Sequence, residues 1–123
     1  MPLQTSPLRQ HRRATGEPSV YDDGRLRVEH DNYYIACDGQ KLQLPRKEFL
    51  IVSRLARNVE RIVAADEIWR AAWGAGAEFN AESLHVHIYR LRRKLAAYDL
   101  TIETMVGVGY RLCANTNLDA RAS

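Results

Sequence analysis

The sequence predicts one α+β domain, with an N-terminal antiparallel sheet, a three-helix core and a C-terminal β-hairpin. Three observations support this prediction. Apolar and polar residues alternate within 20–44, apolar residues recur at helical spacing within 45–97, and two short apolar stretches flank a glycine-rich turn within 101–113. The length of 123 residues suits one domain with one core.

Composition excludes several classes of protein. Hydrophobic residues make up 46% and charged residues 27% of the chain, so we expect a globular core rather than wholesale disorder. No apolar stretch approaches the roughly 20 residues that cross a bilayer, and the N-terminus lacks the apolar run of a signal peptide. Two cysteines are too few for a disulfide framework. We therefore expect a cytoplasmic protein with thiols and no membrane contact.

The folded domain is expected over residues 20–113. Residues 1–19 contain a basic cluster at 9–13 and lack hydrophobic periodicity, which predicts a flexible basic tail or linker. Residues 114–123 are small and polar and predict a second flexible tail. The basic cluster could add nonspecific attraction to DNA, although a solvated linker is the simpler interpretation.

The first elements of the domain are predicted strands. Leu26 and Val28 alternate with polar neighbours, as in a strand with one buried face. Residues 33–37 are aromatic and apolar and predict a second strand. Asp38-Gly39 is a hairpin signal, with a return strand expected over 41–44. Five acidic residues against two basic ones, counted over 22–40, make this sheet a poor candidate for binding phosphate.

Two helices are predicted next. The first runs from Pro45 to about Asn58, because its apolar residues recur three and four positions apart. A short apolar link at 62–63 follows it. The second helix spans 65–73 and ends at a glycine-containing segment, 74–80.

The third helix is predicted from Asn80 or Ser83 to about Ala97, and its two sides differ in character. At about 100° per residue, four apolar residues form a stripe that must face the core. They are Leu84, Ile88, Leu91 and Leu95. The opposite side and its flank bear Val86, Tyr89, Arg90, Arg93, His87 and Lys94. Residues 81–97 hold four basic residues and one acidic residue, a net charge that equals the +3 of the whole chain.

An apolar rear and a cationic, hydrogen-bonding front are typical of a helix that enters the major groove of B-DNA. The two preceding helices would complete a helix-turn-helix unit, and the hairpin at 101–113 would reach the adjacent backbone or minor groove. A solvated helix face is the structural alternative for such a charge run. The order of the elements favours binding of double-stranded DNA.

Four stretches carry more specific motifs. They are LPRKEF at 44–49, the segment 61–74 that ends in AWG, LHVHIYRLRRKL at 84–95 and ETMVGVGYRL at 103–112. At this spacing they resemble the OmpR/PhoB-type winged-helix DNA-binding (effector) domain of bacterial response regulators and related transcriptional regulators. The resemblance covers about three quarters of the chain. It implies a winged helix-turn-helix fold, with the third helix as the recognition helix and the hairpin 101–113 as the wing.

The resemblance also implies roles for single residues. Arg90 matches the family's base-reading arginine, for which we expect a guanine contact. The neighbouring groove-facing positions are Ser83, Val86 and His87. The positions that match contacts with the phosphate backbone are Arg92, Thr104, Tyr110 and Trp73. A core anchor is the alternative role for Trp73. The remaining predicted DNA-binding residues are Tyr89, Arg93, Lys94 and Arg111.

Three departures from the family pattern bear on affinity and target sequence. Val106 stands where the family often has an arginine that enters the minor groove, a contact that Arg111 would have to replace. Glu82 stands where an arginine is common, and its carboxylate would repel phosphate. Pro45 and Ala64 stand where hydroxyl residues usually cap helices, at a cost of about 1 kcal/mol each.

Other kinds of site are weakly supported. His85 and His87 point to opposite sides of the predicted helix and cannot share one metal ion. The two cysteines, Cys37 and Cys113, suit buried apolar positions better than a redox pair. No residue pattern supports catalysis, a cofactor or a metal, so we expect no enzyme.

The sequence therefore predicts sequence-specific binding of double-stranded DNA for transcription regulation. The alternative is a winged-helix protein-interaction module without specific DNA binding. The family further implies a homodimer on repeated half-sites, a contact of the 74–80 loop with RNA polymerase, and a two-component system. A phosphoacceptor receiver domain would need roughly a further hundred residues.

Overall fold

The computed structural model describes residues 19–114. Most of both expected tails lies outside this range. The two boundary residues are tied to the domain: the carbonyl oxygen of Ser19 accepts a hydrogen bond from the His30 amide, and Ala114 is buried in the core. None of the described helices is long and apolar enough to cross a membrane.

A four-stranded antiparallel sheet begins the domain, in the order β1-β2-β3-β4. The strands are β1 Val20–Asp22, β2 Leu26–Glu29, β3 Tyr34–Cys37 and β4 Gln40–Lys41. Asp38 and Gly39 both have positive φ, the backbone conformation of the predicted two-residue hairpin turn. The sequence did not predict β1, and the return strand is shorter than expected: β4 ends at Lys41, although the Leu42 amide still donates to the Ile35 carbonyl oxygen of β3 at 2.9 Å.

Three helices form the described core. They are α1 Arg46–Ala56, α2 Ala65–Trp73 and α3 Ala81–Ala96. The bounds of α2 are those predicted, and α3 ends one residue early. Asn80 caps α3, because its side-chain oxygen accepts a hydrogen bond from the Ser83 amide at 3.0 Å. Pro45 and Ala64 precede α1 and α2 without a side-chain cap, as the departures from the family pattern predicted.

The wing belongs to a second antiparallel sheet, in the order β5-β7-β6. Its strands are β5 Ile62–Ala64, β6 Thr101–Met105 and β7 Gly109–Cys113. The prediction of a mere link at 62–63 was wrong, because these residues pair with β7 and tie the wing to the start of α2. Three residues are too few to show a strand period in the sequence.

One hydrophobic core joins the two sheets and the helices. The predicted stripe of α3 is confirmed, because Leu84, Ile88, Leu91 and Leu95 are all buried. Leu26 and Val28 of β2 and Leu112 of β7 are buried in the same cluster. Cys37 is buried and Cys113 is half-buried; both are free thiols, and burial raises the pKa of each.

The wing turn gives a test of this packing. A methyl group at Gly109 would overlap the Val63 carbonyl oxygen and lie 2.9 Å from the Ala64 Cα, so Gly109→Ala must push β5 and β7 apart. We expect the free energy of unfolding to fall by about 3 kcal/mol in chemical denaturation.

Gly107→Ala is the matched control. Gly107 has a φ of 78° but open space around it, so only backbone strain of about 1 kcal/mol is expected. Equal losses in the two variants would contradict the close β5–β7 contact.

Candidate nucleic-acid interface

The outer face of α3 is open to solvent along its length. Val86 is 42% exposed and Tyr89 is 59% exposed, and Arg90 and Arg93 are exposed beside them. Because the apolar stripe fixes the opposite side of the helix in the core, these four side chains must project outward.

Within residues 19–114, no carboxylate holds Arg90 or Arg93. Among the described residues, neither arginine forms an ion pair. The guanidinium of Arg93 lies over the ring of Tyr89, 5.9 Å from its centroid. Both cations are therefore available to a ligand, which is what the sequence required of this face.

Lys94, in contrast, forms an ion pair with a buried carboxylate of the domain. Its Nζ donates to Glu48 Oε1 at 2.6 Å, and the Glu48 side chain is only 3% exposed. A buried carboxylate without a partner is costly, so this bond both compensates Glu48 and fastens α3 to α1. The predicted DNA contact of Lys94 thus competes with an internal ion pair.

Arg92 joins α3 to the wing. Its Nε donates to the Ile102 carbonyl oxygen at 2.8 Å, and an Nη donates to the Thr104 hydroxyl at 2.6 Å. Tyr110, paired with Thr104 in the wing, is buried, and burial raises its pKa. Of the three residues predicted to touch phosphate here, only Thr104 is exposed.

The tip of the wing is apolar. Val106 is 91% exposed at the turn, where the family often has an arginine. Arg111 does not lie at this tip: it pairs across the strands with Glu103, and its Nε donates to Glu103 Oε1 at 3.0 Å. This ion pair lowers the pKa of Glu103 and raises that of Arg111.

An aromatic cluster lies between α2 and α3. Trp73 is half-buried and stacks on Trp69 with ring centroids 4.0 Å apart. The His87 ring lies nearly perpendicular to the Trp73 ring, with centroids 4.9 Å apart. Trp73 thus packs against the core and still exposes part of its ring. Lys47 Nζ lies 5.6 Å from the Trp73 centroid. Sequence reasoning missed Lys47, because only the packing of α1 against α2 brings it to this edge.

The hydrogen bond of His87 fixes its tautomer. Its Nδ1 lies 2.8 Å from the Ser83 carbonyl oxygen, which can only accept, so Nδ1 carries the proton. His85 lies elsewhere, with its ring 6.4 Å from that of Tyr110. The two histidines therefore face different elements, as the helical spacing predicted.

The segment 74–80 presents an exposed aromatic side chain. The indole Nε1 of Trp69 donates to the Ala77 carbonyl oxygen at 3.1 Å and holds this loop against α2. Phe79 is 44% exposed beyond it and meets Trp69 edge-on. Glu82, in the first turn of α3, is exposed.

The N-terminal sheet offers much less free positive charge. Arg25 bonds Asp38, and Arg27 bonds both Asp22 and Glu29. These arginines neutralise neighbouring carboxylates on the same sheet. Among the described residues, carboxylate partners are lacking for Arg90 and Arg93 of α3, but also for Lys41 of this sheet and Lys47 of α1.

The two kinds of cation on α3 predict different mutant behaviour. Lys94→Ala leaves the buried Glu48 carboxylate without its partner, so we expect a loss of about 2 kcal/mol in the free energy of unfolding. Arg93→Ala, on the exposed face, is the control and is expected to change stability by less than about 0.5 kcal/mol. Denaturant titration measures both, and an equal effect would contradict the division of roles.

Comparison with known proteins agrees with this architecture. Residues 39–112 match the family model described as "Transcriptional regulatory protein, C terminal". The regulatory protein VanRB of Enterococcus faecalis is 38% identical over 89 residues, which cover 72% of this chain and 40% of that protein. The sensory transduction protein RegX3 of Mycobacterium tuberculosis is 30% identical over 96 residues, which cover 76% of this chain and 42% of that protein. The chain thus spans less than half the length of these curated relatives.

Solved structures share the fold. The response regulator DrrB of Thermotoga maritima, an OmpR/PhoB homolog, superposes with a TM-score of 0.68 at 23% identity, covering 89% of this chain and 52% of that one. The RstA DNA-binding domain of Klebsiella pneumoniae, solved in complex with the RstA box, superposes with a TM-score of 0.65 at 23% identity. The match covers 80% of this chain and 100% of that one. The family match and the shared winged-helix architecture lead to one conclusion: the chain belongs to the OmpR/PhoB-type family of C-terminal DNA-binding domains of transcriptional regulatory proteins.

Proposed function

We propose that this chain binds double-stranded DNA sequence-specifically and thereby regulates transcription. The observation that carries the proposal is the outer face of α3, where Arg90 and Arg93 are exposed and form no ion pair with any described carboxylate. Family membership supports it, as does the RstA relative, whose structure was determined on DNA. No residue arrangement supports an enzymatic role.

In this proposal α3 lies in the major groove. Arg90 reads a guanine through its planar guanidinium, and Val86 touches a thymine methyl group. Ser83 lies on the same groove-facing side. His87, with its proton on Nδ1, leaves Nε2 to accept a hydrogen bond. Arg93 is held over the Tyr89 ring and supplies positive charge for the phosphate backbone.

The wing and the aromatic cluster would contact the backbone on either side of this groove. Thr104 offers an exposed hydroxyl from β6. The exposed part of Trp73, with Lys47 over its ring, forms a second contact point. Lys94 and Arg111 enter the proposal as structural cations, because each bonds a carboxylate of the domain.

A protein-interaction module is the second candidate function. The observation that favours it is the apolar wing tip: Val106 is exposed where an arginine is common in the family, and Val108 is exposed beside it. The exposed Phe79 would serve a contact of the 74–80 loop with RNA polymerase. In the DNA-binding proposal, by contrast, the regulator would act in the bacterial cytoplasm as a homodimer on repeated half-sites.

Fluorescence anisotropy with labelled duplexes separates the two functions. Sequence-specific binding predicts strongly salt-dependent binding to random duplex, and tighter binding to duplexes selected by this chain from a random pool. Failure to bind any duplex at low salt would favour the interaction module.

Arg90→Ala should weaken binding to the selected duplex by about 1–3 kcal/mol and relax discrimination at one base position. Arg27→Ala, a charge-matched change on the N-terminal sheet, should leave the affinity unchanged. Anisotropy with single-base variants of the duplex measures both effects. A uniform loss on all sequences would make Arg90 a phosphate contact only.

Val106→Arg should tighten binding to sites with A·T-rich flanks, because a narrow minor groove attracts arginine. The 91% exposure of Val106 leaves room for the longer side chain. Val106→Gln is the neutral control. Unchanged affinity for A·T-rich flanks would contradict insertion of the wing into the minor groove.

A further inference from the structure

Arg92 uses two of its donors inside the protein, at the junction of the recognition helix and the wing. Its Nε bonds the Ile102 carbonyl oxygen and its Nη bonds the Thr104 hydroxyl oxygen, at 2.8 Å and 2.6 Å. Ile102 and Thr104 lie two residues apart on β6, which is an edge strand of its sheet. One planar guanidinium therefore fixes the edge of the wing against α3.

The bond to Thr104 also orients its hydroxyl group. A threonine hydroxyl has one hydrogen to donate and lone pairs that accept. Here a lone pair accepts from Arg92, so the hydroxyl hydrogen is left for another acceptor. Thr104 is exposed, and no described residue accepts this hydrogen, so the hydroxyl is free to donate to a ligand. A charge-assisted bond of this kind polarises the hydroxyl and strengthens it as a donor.

The surroundings hold Arg92 in this position. It lines a cleft of about 190 Å³ between α3 and the wing, together with His85, Ile88, Thr104 and Tyr110. Ile88 and Tyr110 are buried, and Arg92 itself is half-buried. Among the residues that line this cleft there is no carboxylate to draw the guanidinium away from Thr104.

We propose that Arg92 is a positioning residue for DNA binding, which sets the wing against the recognition helix and directs the Thr104 hydroxyl toward a phosphate of the duplex. This inference rests on the proposed function. It gives Arg92 a different role from the phosphate contact that the family resemblance implies. The contact with DNA is made by Thr104, and Arg92 acts through it.

A double-mutant cycle with a fluorescein-labelled duplex selected by this chain tests the proposal. Thr104→Val removes the hydroxyl and keeps the side-chain shape, while Thr104→Ser keeps the hydroxyl. We expect Arg92→Gln and Thr104→Val each to weaken binding about tenfold, the double variant to lose little more, and Thr104→Ser to bind like the parent. Additive losses would overturn the proposal.

Arg92→Lys separates geometry from charge. Lysine keeps the positive charge but cannot bond both acceptors in the planar arrangement of arginine. If Arg92 is a positioning residue, Arg92→Lys should lose as much DNA affinity as Arg92→Gln. In both variants the affinity should depend on salt as it does in the parent. A direct phosphate contact predicts that lysine retains most of the affinity, and that Arg92→Gln lowers the slope of log K against log salt by about 0.9.

Two controls complete the test. Thermal unfolding of each variant establishes that binding is compared between folded proteins, and Arg92→Lys replaces Arg92→Gln in the cycle if Arg92→Gln does not fold. Parent protein that binds no duplex would refute the proposed function itself. Parent protein that binds, with no coupling between Arg92 and Thr104, would refute only the positioning role.

Discussion

The burial of one apolar stripe on α3 is the constraint on which the interface depends. Leu84, Ile88, Leu91 and Leu95 are fully buried, which fixes the rotation of the helix about its axis. Every other residue of α3 then has a determined direction, since successive positions turn by about 100°. Arg90 and Arg93 face outward for this reason, and the contact of Arg93 with the Tyr89 ring lies on that outer face. A polar residue in the stripe would weaken the core and the interface together.

Around this stripe the positive charges of α3 divide into two groups. Lys94 bonds Glu48 of α1, and Arg92 bonds the wing. These two residues therefore set where the helix and the hairpin lie relative to each other. Arg90 and Arg93 lack such bonds among the described residues and remain available to a ligand. A recognition surface needs both groups, because free cations contribute specificity only when the framework that presents them is rigid. The net charge of α3 does not distinguish these four basic residues, because each contributes one positive charge.

The sequence was sufficient for the elements that have a clear period or a specific turn signal. The stripe of α3, the bounds of α2 and the Asp38-Gly39 hairpin are local patterns of this kind. Contacts between distant residues leave no such pattern. Lys94 and Glu48 are 46 positions apart, and the proximity of Lys47 to Trp73 arises only when α1 packs on α2. The strand at 62–64 was missed because its three residues are defined by a partner strand, not by their own periodicity.

The central claim is that the outer face of α3, with the wing beside it, is the surface that meets the duplex. Amide chemical-shift mapping of the isotope-labelled chain, titrated with a duplex that it selects, tests this directly. We expect the largest shifts at 83–93 and 104–108, while the amides of the N-terminal sheet at 20–41 stay close to their values in the free protein. Shifts concentrated in that sheet, with α3 unchanged, would contradict it.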